Sequence, residues 1–144
     1  MQNKEFSKTG LFLGIDFGKT NIGLAIGRNG LVTPLEIIPG KNIENSLNQI
    51  SRTIIENKVT KIVVGLPLTA DGKDTTESLE IRRFAKLLKV TTKRAVEFQN
   101  EYGTSKAALE EAIDLDTPKN KRGTNDHLAA ALILKMYFNE KNYL

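Results

Sequence analysis

The sequence has no cysteine, no tryptophan and a single histidine, His127, among its 144 residues. Without thiols there is no disulfide framework, no zinc–thiolate or iron–sulfur site and no cysteine nucleophile. That composition fits a reducing compartment. One imidazole excludes histidine-rich metal cages and weakens any hydrolytic triad. Long apolar runs are missing too, since none approaches the ~20 residues that cross a bilayer. The run Leu11 to Ile15, which follows Lys4 and Lys8, stops at Asp16. A secretory h-region would need about 7–15 apolar residues. A soluble cytoplasmic protein with no membrane partner is the expectation. A strong charge of either sign is also lacking: Lys and Arg total 21 against 17 Asp and Glu, a net +4. Such a balance tolerates a polyanionic partner without announcing one. Any chemistry must therefore run mainly on carboxylates, hydroxyls, amides and backbone.

What is present is enough for one compact domain spanning residues 1–144, with the first ten residues as a loose polar tail. Folding at this length buries about 68–70% of the unfolded surface, and 40% of the residues are hydrophobic. Leu11 to Ile15 and Ile22 to Ile26 read as two short strands around the turn-forming Phe17-Gly-Lys-Thr-Asn21, which makes a hairpin. A third strand is expected near Leu31 to Ile38. The period then changes. Ile43, Leu47, Ile50 and Ile54 recur at helical spacing, giving a helix over 42–57. Lys61 to Leu66 is an almost unbroken β-branched run, as in a strand buried on both faces. Ile81, Phe84, Ala85 and Leu88 mark a helix over 74–89, and Ala95 to Phe98 a fifth strand. Ala108 to Ile113 suggests a short helix, 116–123 a polar loop, and Thr124 or Asn125 the cap of a last helix reaching Asn139. A meander followed by β/α alternation implies an α/β fold with a mixed sheet and helices on its faces.

Three acids occupy notable places in this layout. Asp16 ends the first strand, Glu101 follows the fifth, and Asp126 lies in the first turn of the last helix. In open α/β sheets, ligands bind outside the carboxyl ends of strands. Clustered carboxylates repel unless cations sit between them, and an all-oxygen set suits Mg²⁺ or Mn²⁺. Two such ions ~3.5–4 Å apart can hold the attacking water and the leaving oxygen of a phosphodiester. Each acid also has a plainer reading. Asp16 can cap turn amides, Asp126 can face a helix dipole, and Glu101 can be a solvated loop acid. Spacing alone does not show that the three converge.

The motifs add a resemblance. Leu13-Gly-Ile-Asp-Phe-Gly18 with Asn21-Ile-Gly-Leu-Ala25 resembles the opening hairpin of the YqgF-type (RuvX-type) nucleases. Val63-Val-Gly-Leu-Pro-Leu68 with Asp71-Gly72 is similar to their second signature. Glu101 with Thr104-Ser105, then Asp126-His-Leu-Ala-Ala130, resemble the third and fourth. The match is ordered and covers about residues 11–138. It implies a ribonuclease H-like fold with a five-stranded mixed sheet and a metal-dependent nuclease linked to maturation of the 5′ end of 16S ribosomal RNA. It also implies that Asp16, Glu101 and Asp126 are the catalytic, metal-binding acids. Resolution of branched DNA junctions is the alternative activity, and nucleic-acid binding with weak or lost catalysis a third. Ribosomal particles would be partners of the first activity; monomer and homodimer both stay open.

The family usually has Asp-Glu-Arg where this chain has Asn100-Glu101-Tyr102. The change removes a charge beside the acids and a bidentate phosphate donor. Candidate nucleic-acid contacts are Lys19 and Thr20 in the hairpin turn, and Lys119, Lys121 and Arg122 in the basic loop before Asp126. Gly65 and Pro67 shape a loop whose amides could face a phosphate, and Asp71 is suited to orienting that loop. Arg82, Arg83, Lys86, Lys89 and Lys93 read by default as a solvated helix face. Gly14 to Thr20 also resembles the phosphate hairpin of actin-like sugar kinases, which need a duplicated domain.

Overall fold

The computed structural model describes residues 10–102 and 126–141, with side chains of the second segment from Leu128 onward. The expected short helix near Ala108, the polar loop 116–123 and the N-terminal tail lie outside the described residues. Five strands and three helices are described: β1 (Phe12–Phe17), β2 (Asn21–Arg28), β3 (Leu31–Pro39), α1 (Ile43–Asn57), β4 (Lys61–Leu66), α2 (Thr76–Thr92), β5 (Ala95–Asn100) and α3 (Asp126–Lys141). They form one sheet in the order β3-β2-β1-β4-β5. The first three strands pair antiparallel as a meander. The β1–β4 and β4–β5 pairs are parallel, so α1 and α2 are the crossovers that parallel pairing requires. This is the mixed sheet that the change of period implied.

Alternation along β1 and β4 sends side chains to two different cores. Leu13, Ile15, Ile62, Val64 and Leu66 point to one face and pack with Leu47, Ile50 and Ile54 of α1 and Ile81, Phe84 and Leu88 of α2. Phe12 and Val63 point to the other and pack with Ala130, Ile133, Leu134, Tyr137 and Phe138 of α3. Helices therefore cover both faces, and apolar burial on each side supplies most of the driving force.

The α3 face is built for close approach. A side chain on Gly14 would put its Cβ 2.6 Å from Leu134 Cγ and 2.8 Å from the Ala130 carbonyl oxygen. Only a glycine lets the α3 backbone lie that near the central strand. Phe138, further along α3, meets Phe12 edge-to-face with ring centroids 5.2 Å apart. The helix thus runs antiparallel to β1, its beginning toward the carboxyl end of that strand.

Element ends differ modestly from the sequence reading. β1 continues through Asp16 to Phe17 and β5 through Gln99 to Asn100, because ladder hydrogen bonds are made by backbone whatever the side chain. Thr75, rather than a residue nearer 74, is the N-cap of α2. Its hydroxyl accepts from the Ser78 amide while Ser78 Oγ accepts from the Thr75 amide, a reciprocal capping box. The same helix runs past Lys89 to Thr92, ending where Lys93 turns left-handed at φ 56.

Candidate active site at the carboxyl ends of the strands

Asp16 follows the β1 alternation from Phe12 and Gly14, so it belongs to the α3 face. The β1–β4 register pairs Ile15 with Val64, which brings Gly65 alongside Asp16 at the next step. On the other side, Gly65 pairs with Gln99 of β5. Glu101 lies two residues beyond Gln99 and on the same face by alternation. Its amide donates to the Leu66 carbonyl at 3.0 Å, extending the ladder one residue past the strand. The Glu101 carboxylate folds over Gly65, with Oε2 2.8 Å from the position of a Cβ there. Two acids that are distant in sequence thus stand on either side of one glycine.

Both line a cavity of about 490 Å³ at the edge where β1, β4 and β5 end. Phe17, Gly18, Pro67, Leu68, Ile81 and Tyr102 contribute to its wall, and Glu77 from the first turn of α2 adds a third carboxylate. Phe17 stacks on Phe84 of α2 with centroids 4.4 Å apart, so the residue after Asp16 ties β1 to that helix. The sequence reading missed Glu77. An acid just after an N-cap is explained by the helix dipole alone, and only the strand-to-helix loop turns it toward the cavity.

Asp126 is the first residue of α3. From Ala130, which lies over Gly14, back to Asp126 is one helical turn, an axial rise of about 6 Å. From Gly14 to Asp16 along β1 is about 6.6 Å. The first turn of α3 therefore comes level with Asp16 at the same end of the sheet. The side chains of Asp126 and His127 are outside the described set. Among the described residues no three Asp, Glu or His side chains group closely enough to hold a metal ion. Lys119, Lys121 and Arg122 also lie outside the described residues.

Lys19 and Thr20 are exposed in the turn beyond the cavity, and neither contributes to its wall. The turn is closed by the Gly18 amide donating to the Asn21 carbonyl at 3.1 Å, and is pinned by the Gly40 amide donating to the Thr20 carbonyl at 2.8 Å. In the loop after β4 three amides are engaged internally: Leu68 donates to Leu66, Thr69 to Lys73 and Gly72 to Thr69, while Pro67 has none to offer. Asp71 does organise this loop, accepting from the Thr69 hydroxyl at 2.5 Å, a bond that holds its carboxyl below the usual aspartate range. Arg82 is no bystander on a solvated face. It donates to Asp74 at 2.8 Å and lies 5.1 Å from the centre of the Phe98 ring. Its hydrogen bond, with that of Ser78, lowers the Asp74 pKa.

Asn100 has a clear task. Its Oδ1 accepts the Tyr102 amide at 2.9 Å, a local turn that brackets Glu101. An aspartate would accept the same bond, so its replacement by asparagine leaves the geometry intact.

A family model described as "RuvX: Holliday junction resolvase" matches residues 10–140. The chain belongs to the RuvX family. Among curated relatives of this RuvX chain, a "Putative pre-16S rRNA nuclease" of Nitrosospira multiformis is 37% identical over 137 residues, covering 92% of this chain and 90% of the relative. One of the same name from Chloroflexus aggregans is 34% identical, covering 90% and 93%. Among solved structures, T. thermophilus RuvC in complex with a Holliday junction substrate superposes with TM-score 0.64 at 14% identity, covering 91% of this chain and 96% of that one. The fowlpox virus Holliday junction resolvase does so with TM-score 0.57 at 18% identity, covering 91% and 99%. These two establish the shared ribonuclease H-like fold of the RuvX chain.

Proposed function

We propose that this RuvX-family enzyme is a divalent-metal-dependent nuclease that acts in 5′-end maturation of precursor 16S ribosomal RNA. The observation that carries the reading is the meeting of Asp16 and Glu101 beside Gly65 at one cavity. Strand-end acids from different parts of the sheet belong outside the carboxyl ends of parallel strands when they serve a ligand.

The donor set fits Mg²⁺ or Mn²⁺. Every candidate ligand is a carboxylate oxygen, the preference of hard cations, and the missing side chain at Gly65 leaves the room that Glu101 occupies. Asp16, Glu101 and Asp126 would hold the metal. Bound divalent ions supply a water activated for in-line attack and charge compensation at the leaving oxygen. The chain's own contribution is positional. The β1 and β5 ladders fix the two carboxylates, and the first turn of α3 carries the third acid. Lys19, Thr20, Lys119, Lys121 and Arg122 bind flanking phosphates and hold the backbone of the nucleic acid in register. Tyr102, 57% exposed at the cavity wall, offers a ring face where the family's arginine would offer a fork.

Cleavage of branched DNA is the second reading, favoured by the family description and by the RuvC likeness in fold. The test is Mn²⁺-dependent cleavage by wild type and Asp16→Asn, side by side. Substrates are a 5′-extended 16S precursor RNA, a four-way DNA junction and linear controls. Cleavage of the precursor by wild type alone, with Asp16→Asn folded but inactive, is the expected outcome. Substantial residual cleavage by Asp16→Asn sinks the carboxylate–metal mechanism. Preference for the junction transfers the assignment to resolution. RNA binding by a folded wild type that cleaves nothing makes the protein a binding module.

A further inference from the structure

We infer that Gly65 is a positioning residue for the metal site: its missing side chain is the seat in which the Glu101 carboxylate rests. This rests on the metal-dependent reading above and adds a residue that touches neither metal nor substrate. A Cβ at position 65 would lie 2.8 Å from Glu101 Oε2, 2.9 Å from Glu101 Cδ and 2.5 Å from Ile133 Cδ1. Ordinary carbon contacts begin near 3.5 Å, so two neighbours must move. Both contacts are with the far ends of flexible side chains. Ile133 can turn its terminal methyl aside within the α3 core at modest cost. Glu101 has to withdraw its carboxylate, the group placed there for a cation. The backbone gives no other relief, because Gly65 is held in a central strand between β1 and β5. One methyl group is therefore expected to leave the fold nearly unchanged while misplacing a ligand, and misplacements of about 1 Å cost of order 10²-fold in activity.

The experiment uses the full chain and four proteins: wild type, Gly65→Ala, Ile133→Val, and Gly65→Ala with Ile133→Val. Thermal melting reports packing. Calorimetric titration with Mn²⁺ alone reports the site, and the ¹³Cδ resonance of Glu101 in metal-free protein, assigned by its loss in Glu101→Gln, reports the carboxylate directly. Gly65→Ala is expected to fold, to shift the Glu101 resonance, and to bind Mn²⁺ about 10–100-fold more weakly, the usual loss when a ligand's support is disturbed. Ile133→Val alone is expected to bind Mn²⁺ as wild type does. In the double variant the shortened Ile133 removes the apolar clash, so melting recovers while the Glu101 resonance and Mn²⁺ affinity do not. Wild-type affinity and an unmoved Glu101 resonance in Gly65→Ala overturn the inference. So does recovery of affinity in the double variant, which would trace the effect to core packing. Absence of Mn²⁺ binding by wild type overturns the metal reading, and the inference falls with it; the resonance then shows whether the steric seat itself is real.

Discussion

The two faces of the sheet solve the same burial problem in opposite ways. Against α1 and α2 the strands present large aliphatic side chains, with Leu13, Ile15, Leu24, Ile62 and Val64 all buried in that core. Against α3 they present glycines at the centre, and the bulk comes from the helix: Ile133, Leu134, Tyr137 and Phe138. The first arrangement gives a thick, forgiving layer. The second brings a helix backbone close to β1 and carries its first turn to the level of Asp16. Stability can come from either face, but Asp16 and Glu101 stand on the thin one.

Deleting bulk from the thick face should give the largest stability loss. Leu88→Ala, at a fully buried position, is expected to cost about 2–5 kcal/mol in urea unfolding, with cleavage by the folded fraction unchanged. Adding one methyl to the thin face should cost less and do more damage to function. Gly14→Ala meets the Ala130 carbonyl, a backbone atom that cannot swing away. About 1–3 kcal/mol is expected, together with a loss of cleavage as α3 is pushed outward. Full activity in Gly14→Ala would break the comparison.

A smaller effect tests how the thick face is tied to the loop that lines the cavity. Thr75 caps α2 and its hydroxyl donates to the Pro67 carbonyl at 2.9 Å. Thr75→Ala should cost about 1 kcal/mol and speed amide exchange at Ser78, measured by NMR. The smallest effect concerns pH and lies on the thin face. Burial pushes Glu97 upward, but hydrogen bonds from Lys61 and Tyr137 and the charges of Lys61 and Lys141 outweigh it and hold it below the usual 4.5. A depressed carboxyl stabilises the fold above its unfolded pKa and stops doing so as pH falls through its folded value. The Lys61 ion pair, at 2.8 Å, leaves Glu97 partly solvated, so screening keeps the effect below about 1 kcal/mol. Thermal melts on going from about pH 6 to about pH 3 should show a slightly shallower decline in Glu97→Gln than in wild type.

Much of this architecture was legible in the sequence. The helical spacing of Ile43, Leu47, Ile50 and Ile54 and the β-branched run at Lys61 to Leu66 are signals of burial, and burial is what periodicity reports. Positions of Asp16 and Glu101 at strand ends followed from the same pattern. Less visible was whatever depends on backbone alone. The helix α2 stops at a left-handed lysine, where sequence offers no glycine or proline to announce it. In linear order Arg82 belongs to a basic helix face, because its partners, Asp74 and Phe98, come from a loop and from β5. Gly65 looked like a turn residue, since a steric seat for a side chain from a neighbouring strand leaves no trace in linear order.

The single hydrogen bond from the Glu101 amide to Leu66 has a consequence for how the protein comes into being. Asp16 is synthesised early and sits in the first hairpin, but its partner arrives only with the fifth strand, and the last acid later still. A chain stopped before Asp126 would therefore lack one of the three acids proposed to hold the metal, whatever part of the sheet it had already built.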